Sequence, residues 1–95
     1  MENYEIMFIV KPTLEESVIK DTVKALETII TDMKGKVTTK DMGKRELAYP
    51  IKKEISGFYY LFTVEAKHEA IAEFDRKIRL NENILRHQII KLDEE

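Results

Sequence analysis

Residues 43–51 read Gly43-Lys44-Arg45-Glu46-Leu47-Ala48-Tyr49-Pro50-Ile51, and the pattern of this stretch decides the fold. Gly43 interrupts a strand-like run, as a bulge or bend does. Leu47, Tyr49 and Ile51 alternate, which puts them on one face of a strand. Pro50 has no N–H to give to a ladder, so this strand belongs at a sheet edge or near its own end. Lys44 and Arg45 bring positive charge to that edge. The segment is expected to be an edge strand able to serve as a contact surface.

Upstream, Tyr4, Ile6, Phe8 and Val10 alternate with Asn3, Glu5, Met7 and Ile9. This predicts a strand over residues 3–10 with the first set facing the core. Lys11-Pro12 ends it. Thr13-Leu14-Glu15-Glu16 has the form of a capping box, with Thr13 as N-cap and Glu16 at the third helical position. Ile19, Val23, Leu26, Ile30 and Met33 follow at spacings of four and three, one face of a helix. Gly35 supplies the stop, with Lys34 in the last turn. The edge strand then runs from Val37 to Ile51, bent at Gly43.

Downstream, Lys52-Lys53-Glu54-Ile55-Ser56-Gly57 reads as a polar connection of hairpin length. Phe58 to Ala66 is a third strand and the most aromatic part of the chain. Glu69 to about Leu80 is a second helix, with Ile71, Phe74 and Ile78 on one face and no good cap before it. Asn81-Glu82-Asn83 ends this helix, and Ile84 to Leu92 is the last strand. Two βαβ halves thus stand in tandem. Right-handed crossovers and a central hairpin favour an α+β fold, the ferredoxin-like split βαβ sandwich. Its four-stranded antiparallel sheet has the order 2-3-1-4, with both helices on one face. Strand two is then an edge, as Pro50 requires. The other sheet face stays bare unless a partner covers it.

The chain has 95 residues, the length of one domain. Residues 93–95, Asp-Glu-Glu, form an acidic tail. Apolar residues at 43% and charged residues at 36% describe a globular protein rather than a disordered one. There is no cysteine, which removes disulfides, thiolate metal sites and cysteine nucleophiles. No apolar run has the length of a membrane span. The first residues lack a signal-peptide pattern, so a cytoplasmic location is the default. The net charge of −2 argues mildly against nucleic acid. Its distribution argues otherwise: residues 35–53 and residues 76–92 each carry a net charge of +4. In the expected fold these two basic segments lie around opposite edges of the sheet.

No catalytic, cofactor or metal site is expected. His68 and His87 come from different elements and lack a spaced third ligand. His68 reads as a solvated residue near a helix start, while the alternation of the last strand leaves the facing of His87 open. Ser56-Gly57-Phe58-Tyr59-Tyr60-Leu61-Phe62-Thr63 partly matches an aromatic RNA-recognition strand, but fails at Ser56, Tyr59 and Thr63. Phe58 and Tyr60 share a face with Phe62, Val64 and Ala66, so core packing explains them better than base stacking. Tyr59 is left as an open-face contact. Lys40, Lys44, Arg45, Lys52 and Lys53 suit either a docking role or the charge that keeps edge strands from pairing. Arg76, Lys77, Arg79 and Arg86 suit either phosphate contact or a basic helix end.

These residues together resemble the family of the sixth protein of the bacterial small ribosomal subunit, over essentially the whole length. The signposts are Tyr4-Glu5, Pro12, Gly43 with Arg45, Leu47-Ala48-Tyr49-Pro50-Ile51, Gly57-Phe58-Tyr59 and Asn83-Ile84-Leu85-Arg86-His87. The resemblance implies a non-enzymatic protein on the cytoplasmic ribosome. It implies binding to the central domain of small-subunit rRNA, as a heterodimer with the more basic eighteenth small-subunit protein. Lys40, Lys44, Arg45 and Glu46 are then expected at the partner contact. Glu46 stands where many members carry a second basic residue. Arg79, Arg86 and Lys91 are expected at the rRNA. Two other classes share this fold. A self-associating or small-molecule-sensing domain would use the bare sheet face. An acyl-phosphate hydrolase needs an Arg in the loop after strand one, where this chain has Lys11-Pro12-Thr13.

Overall fold

The computed structural model describes residues 1–92, so the acidic tail lies outside the described residues. The elements are β1 (Glu2–Val10), α1 (Glu16–Asp32), β2 (Lys36–Ile51), β3 (Glu54–Ala66), α2 (His68–Arg79) and β4 (Ile84–Leu92). They form one antiparallel sheet in the order β2-β3-β1-β4. Alternation in β1 and β3 sorts the side chains as expected. Ile6, Phe8, Val10, Phe62, Val64 and Ala66 are buried. They meet Ile19, Leu26 and Ile30 of α1, with Ala70, Phe74 and Ile78 of α2. Phe62 is fully buried and packs edge-on to Phe8, with ring centroids 4.9 Å apart, and to Phe74 at 6.2 Å.

The ends of α1 differ from the sequence expectation. The helix begins at Glu16 behind an extended Glu15, and no side chain caps it. Thr13 lies in the preceding turn, so the capping box does not form. At the other end Met33 lies past the helix and is exposed. Lys34, not Gly35, takes the left-handed conformation, with φ 67°. The Lys34 N–H donates to the Thr31 carbonyl and the Gly35 N–H to that of Ile30, both at 3.0 Å. This pair of bonds is a Schellman cap. Gly35 is required for room instead: a Cβ there would stand 2.7 Å from Ile30 Cγ2 and 3.0 Å from the Ala66 Cβ.

The β2–β3 hairpin also differs. Its turn is only Lys52-Lys53, both with positive φ, and β3 begins at Glu54 rather than Phe58. Two central residues with φ above zero define a type I′ turn, whose twist suits antiparallel strands. Lysine is not a residue that rule selects, so the sequence left all of Lys52-Lys53-Glu54-Ile55-Ser56-Gly57 as the connection. Gly57 is needed inside the strand. A Cβ there would collide with Cγ2 of Ile9 and lie 3.5 Å from Leu85 Cδ1.

Candidate functional site

Both helices cover the same face of the sheet, and the other face is open. Lys40 of β2, Leu61 of β3, Met7 of β1 and Gln88 of β4 are in register across that face. Leu61 and Met7 are half-buried and give it an apolar centre. Gly43 then decides which cations join them. The register slips between Asp41, opposite Tyr60, and Gly43, opposite Tyr59. The extra residue is Met42, and Gly43 sits at φ 83° with its N–H donated to Asp41 Oδ1 at 2.8 Å. A bulge of one residue reverses the alternation beyond it. Arg45 therefore falls on the open face, opposite Gly57, with its guanidinium carbon 5.9 Å from the centre of the half-buried Tyr59 ring. That is cation–π distance.

The four residues expected at a partner contact are thus divided. Lys40 and Arg45 stand on the open face. Lys44, opposite Phe58, and Glu46, opposite Ser56, stand on the other side of the same edge strand. All four are exposed.

The three residues expected at RNA do not share one surface. Arg79, in the last turn of α2, is ion-paired with Asp75 at 2.7 Å. Lys91 lies opposite Tyr4 at the far end of β4, with its ammonium 3.3 Å from Glu2. Arg86 is on the open face beside Ile9 and makes no ion pair among the described residues. Its guanidinium donates to the Tyr49 hydroxyl at 2.8 Å, across 37 positions of sequence.

That contact changes the expected charge map. The topology keeps β2 and β4 at opposite edges, yet the tip of the β2–β3 hairpin reaches β4. Lys52 Nζ donates to the Ile84 carbonyl at 3.4 Å. Between Glu46 and Ile51 the pairing with β3 lapses, which releases the Leu47-Ala48-Tyr49-Pro50 run from the ladder. Pro50, with no donor, belongs in such a run. Ile9 and Leu85, on the face away from the helices, are buried at 7% and 6% exposure. The two basic segments therefore meet at one end of the molecule.

Sequence spacing gave no sign of the Tyr49–Arg86 contact, nor of two further polar ties. His87 faces the helices, half-buried, with Nε2 3.0 Å from Asp75 of α2. Asn83 Nδ2 donates to Thr22 of α1 at 3.1 Å. Near the far end, the Tyr4 hydroxyl donates to Glu2 at 2.6 Å. This bond, and then Lys91, hold the Glu2 carboxyl below its ordinary pKa. Among the described residues no group of three or more His, Asp or Glu side chains could hold a metal ion. No described helix is long and apolar enough to cross a membrane.

Residues 3–91 match the family model described as ribosomal protein S6. The small ribosomal subunit protein bS6 of Helicobacter acinonychis is 45% identical over 98% of this chain, which spans 66% of that relative's length. The protein of the same name from Halalkalibacterium halodurans is 43% identical, and the match covers 100% of both chains. The crystal structure of 30S ribosomal protein S6 from Thermotoga maritima superposes with a TM-score of 0.91 at 30% identity. That match covers 96% of this chain and 87% of the other.

Proposed function

Because the chain belongs to the ribosomal protein S6 family, we propose that it is a structural constituent of the small ribosomal subunit which binds the central domain of small-subunit rRNA as a heterodimer with the eighteenth small-subunit protein. Its relatives are structural ribosomal proteins, not enzymes, and its setting is the cytoplasmic ribosome. The observation that carries the heterodimer is the open sheet face. Met7 and Leu61 give it an apolar centre, and Lys40 and Arg45 border it on the free edge.

A partner seated there would bury the apolar centre and meet Arg45, already steadied over Tyr59. Lys44 and Glu46, on the reverse of the strand, would meet the parts of a partner that wrap the edge. The partner would also supply charge that this chain, at −2, lacks. Arg86 would reach RNA directly. Arg79 and Lys91 would first have to leave Asp75 and Glu2, a modest cost for exposed ion pairs.

Sizing of the purified chain with and without the basic partner tests this. A stoichiometric complex is expected, and Arg45→Glu should weaken it while leaving the melting temperature nearly unchanged. An exposed edge charge contributes little to stability. A homodimer that the partner does not displace would favour self-association through the same face.

A further inference from the structure

We propose that the tip of the β2–β3 hairpin and the start of β4 form one seat for the RNA phosphate backbone, built from Lys52, Lys53, Arg86 and the Tyr49 hydroxyl. The proposal rests on the RNA-binding reading above and names the residues that would carry it.

Three observations support it. The first is proximity. Tyr49 accepts from Arg86, and Lys52 reaches the Ile84 carbonyl, so cations from two distant segments stand together. The second is that their charge is not spent. Among the described residues Lys20, Arg76, Arg79 and Lys91 each face a carboxylate, whereas Lys52, Lys53 and Arg86 form no ion pair. Glu54 follows the turn and Glu82 precedes β4, yet neither pairs with these three cations among the described residues. The third is the turn. Lys52 and Lys53 occupy positive-φ positions that favour Asn and Gly, so two lysines sit where local backbone preference would not put them. Residues kept against local preference point to a role outside folding.

The chemistry suits phosphate. A guanidinium offers a fixed fork of donors to phosphate oxygens, and lysines add mobile point charges. The Tyr49 oxygen accepts from Arg86 and keeps its own proton to donate to a phosphate oxygen. The seat has no base-reading feature, so its contribution should not depend on RNA sequence.

The test is a salt titration of central-domain rRNA binding by the heterodimer. It compares the unaltered chain with Arg86→Ala, Tyr49→Phe and the double variant Lys52→Asn, Lys53→Gly. That double variant removes both charges and supplies residues the turn favours, so folding is not at stake. Each phosphate left without its cation lowers the slope of log affinity against log salt by about one unit. The double variant should lose about two units and Arg86→Ala about one, while Tyr49→Phe, which removes no charge, should weaken the affinity and keep the slope. Lys20→Gln, whose ammonium already faces Glu16, should keep the parental slope. Parental slopes in both the double variant and Arg86→Ala would overturn the seat while leaving RNA binding by the heterodimer intact. Absence of salt-dependent binding by the unaltered heterodimer would overturn the reading on which the seat rests, and the seat with it.

Discussion

The hairpin turn permits a prediction in which stability and function move in opposite directions. Lys52 and Lys53 adopt φ values of 50° and 68°. A residue with a Cβ loses roughly 1–2 kcal/mol in the left-handed region. Glycine at position 53 removes that cost and gives back about 0.5–1 kcal/mol in extra freedom of the unfolded chain. Asparagine at position 52 tolerates the region through its short polar side chain and adds a few tenths of a kcal/mol. The bond from Lys52 to the Ile84 carbonyl, long at 3.4 Å, is removed at small cost. The net is about 1 kcal/mol of stabilisation, which for a domain of this size raises the melting temperature by about 4–8 °C. Lys52→Gln with Lys53→Gln is the control. It removes the same charges but keeps the strain, so its melting temperature should stay within about 2 °C of the parent. The assay is thermal unfolding followed by far-UV circular dichroism. An Asn-Gly variant that melts at or below the parent temperature would refute the strain argument.

Phe62→Ala should cost about 3–5 kcal/mol, measured by denaturant unfolding, because the cavity would open between Phe8 and Phe74. Gly57→Ala should also destabilise the fold, since its Cβ would meet Ile9 and the Val10 carbonyl oxygen. Tyr4→Phe should raise the Glu2 pKa toward its ordinary value, read by NMR titration, since the Tyr4 hydroxyl is the main cause of its depression and Lys91 the next. In the folded parent the depressed Glu2 pKa contributes stability that is present above the ordinary carboxylate pKa. That stability is lost as pH falls through the lower folded value, so Tyr4→Phe should be less stable than the parent above the ordinary carboxylate pKa, and the difference should shrink as pH falls. No turnover of acyl phosphate is expected; a reproducible hydrolysis abolished by one side-chain change would contradict the non-enzymatic assignment.

The element order, the sheet order and the facing of β1 and β3 were legible in the sequence because alternation and helical spacing report burial directly. Gly43 was legible as a bulge, and Pro50 as an edge residue. The ends of elements were not. Thr13 matched a cap motif, but the chain turns for two further residues before α1 begins, so no cap forms. Lys34 and the Lys52-Lys53 pair hold backbone conformations that sequence rules reserve for Gly and Asn, so neither turn could be placed from residue type. At the candidate site the cations were visible as residues but not as a surface. Whether Arg45 shares a face with Lys40 depends on a one-residue bulge. Whether Arg86 stands apart from the hairpin depends on how far the hairpin tip reaches past its edge. Neither Tyr49–Arg86 nor Asp75–His87 has a sequence signature, since each joins elements that only the fold brings together.

The central claim is that this net-acidic chain reaches RNA as half of a shared charged surface. The most direct measurement is its affinity for central-domain rRNA across a range of salt, alone and in complex with the basic eighteenth small-subunit protein. Counterion release ties the slope to the number of phosphates neutralised. The chain alone should bind weakly with a shallow slope, and the heterodimer tightly with a steep one. Equal and tight binding by the chain alone would contradict the claim and return Arg45 to guarding a sheet edge.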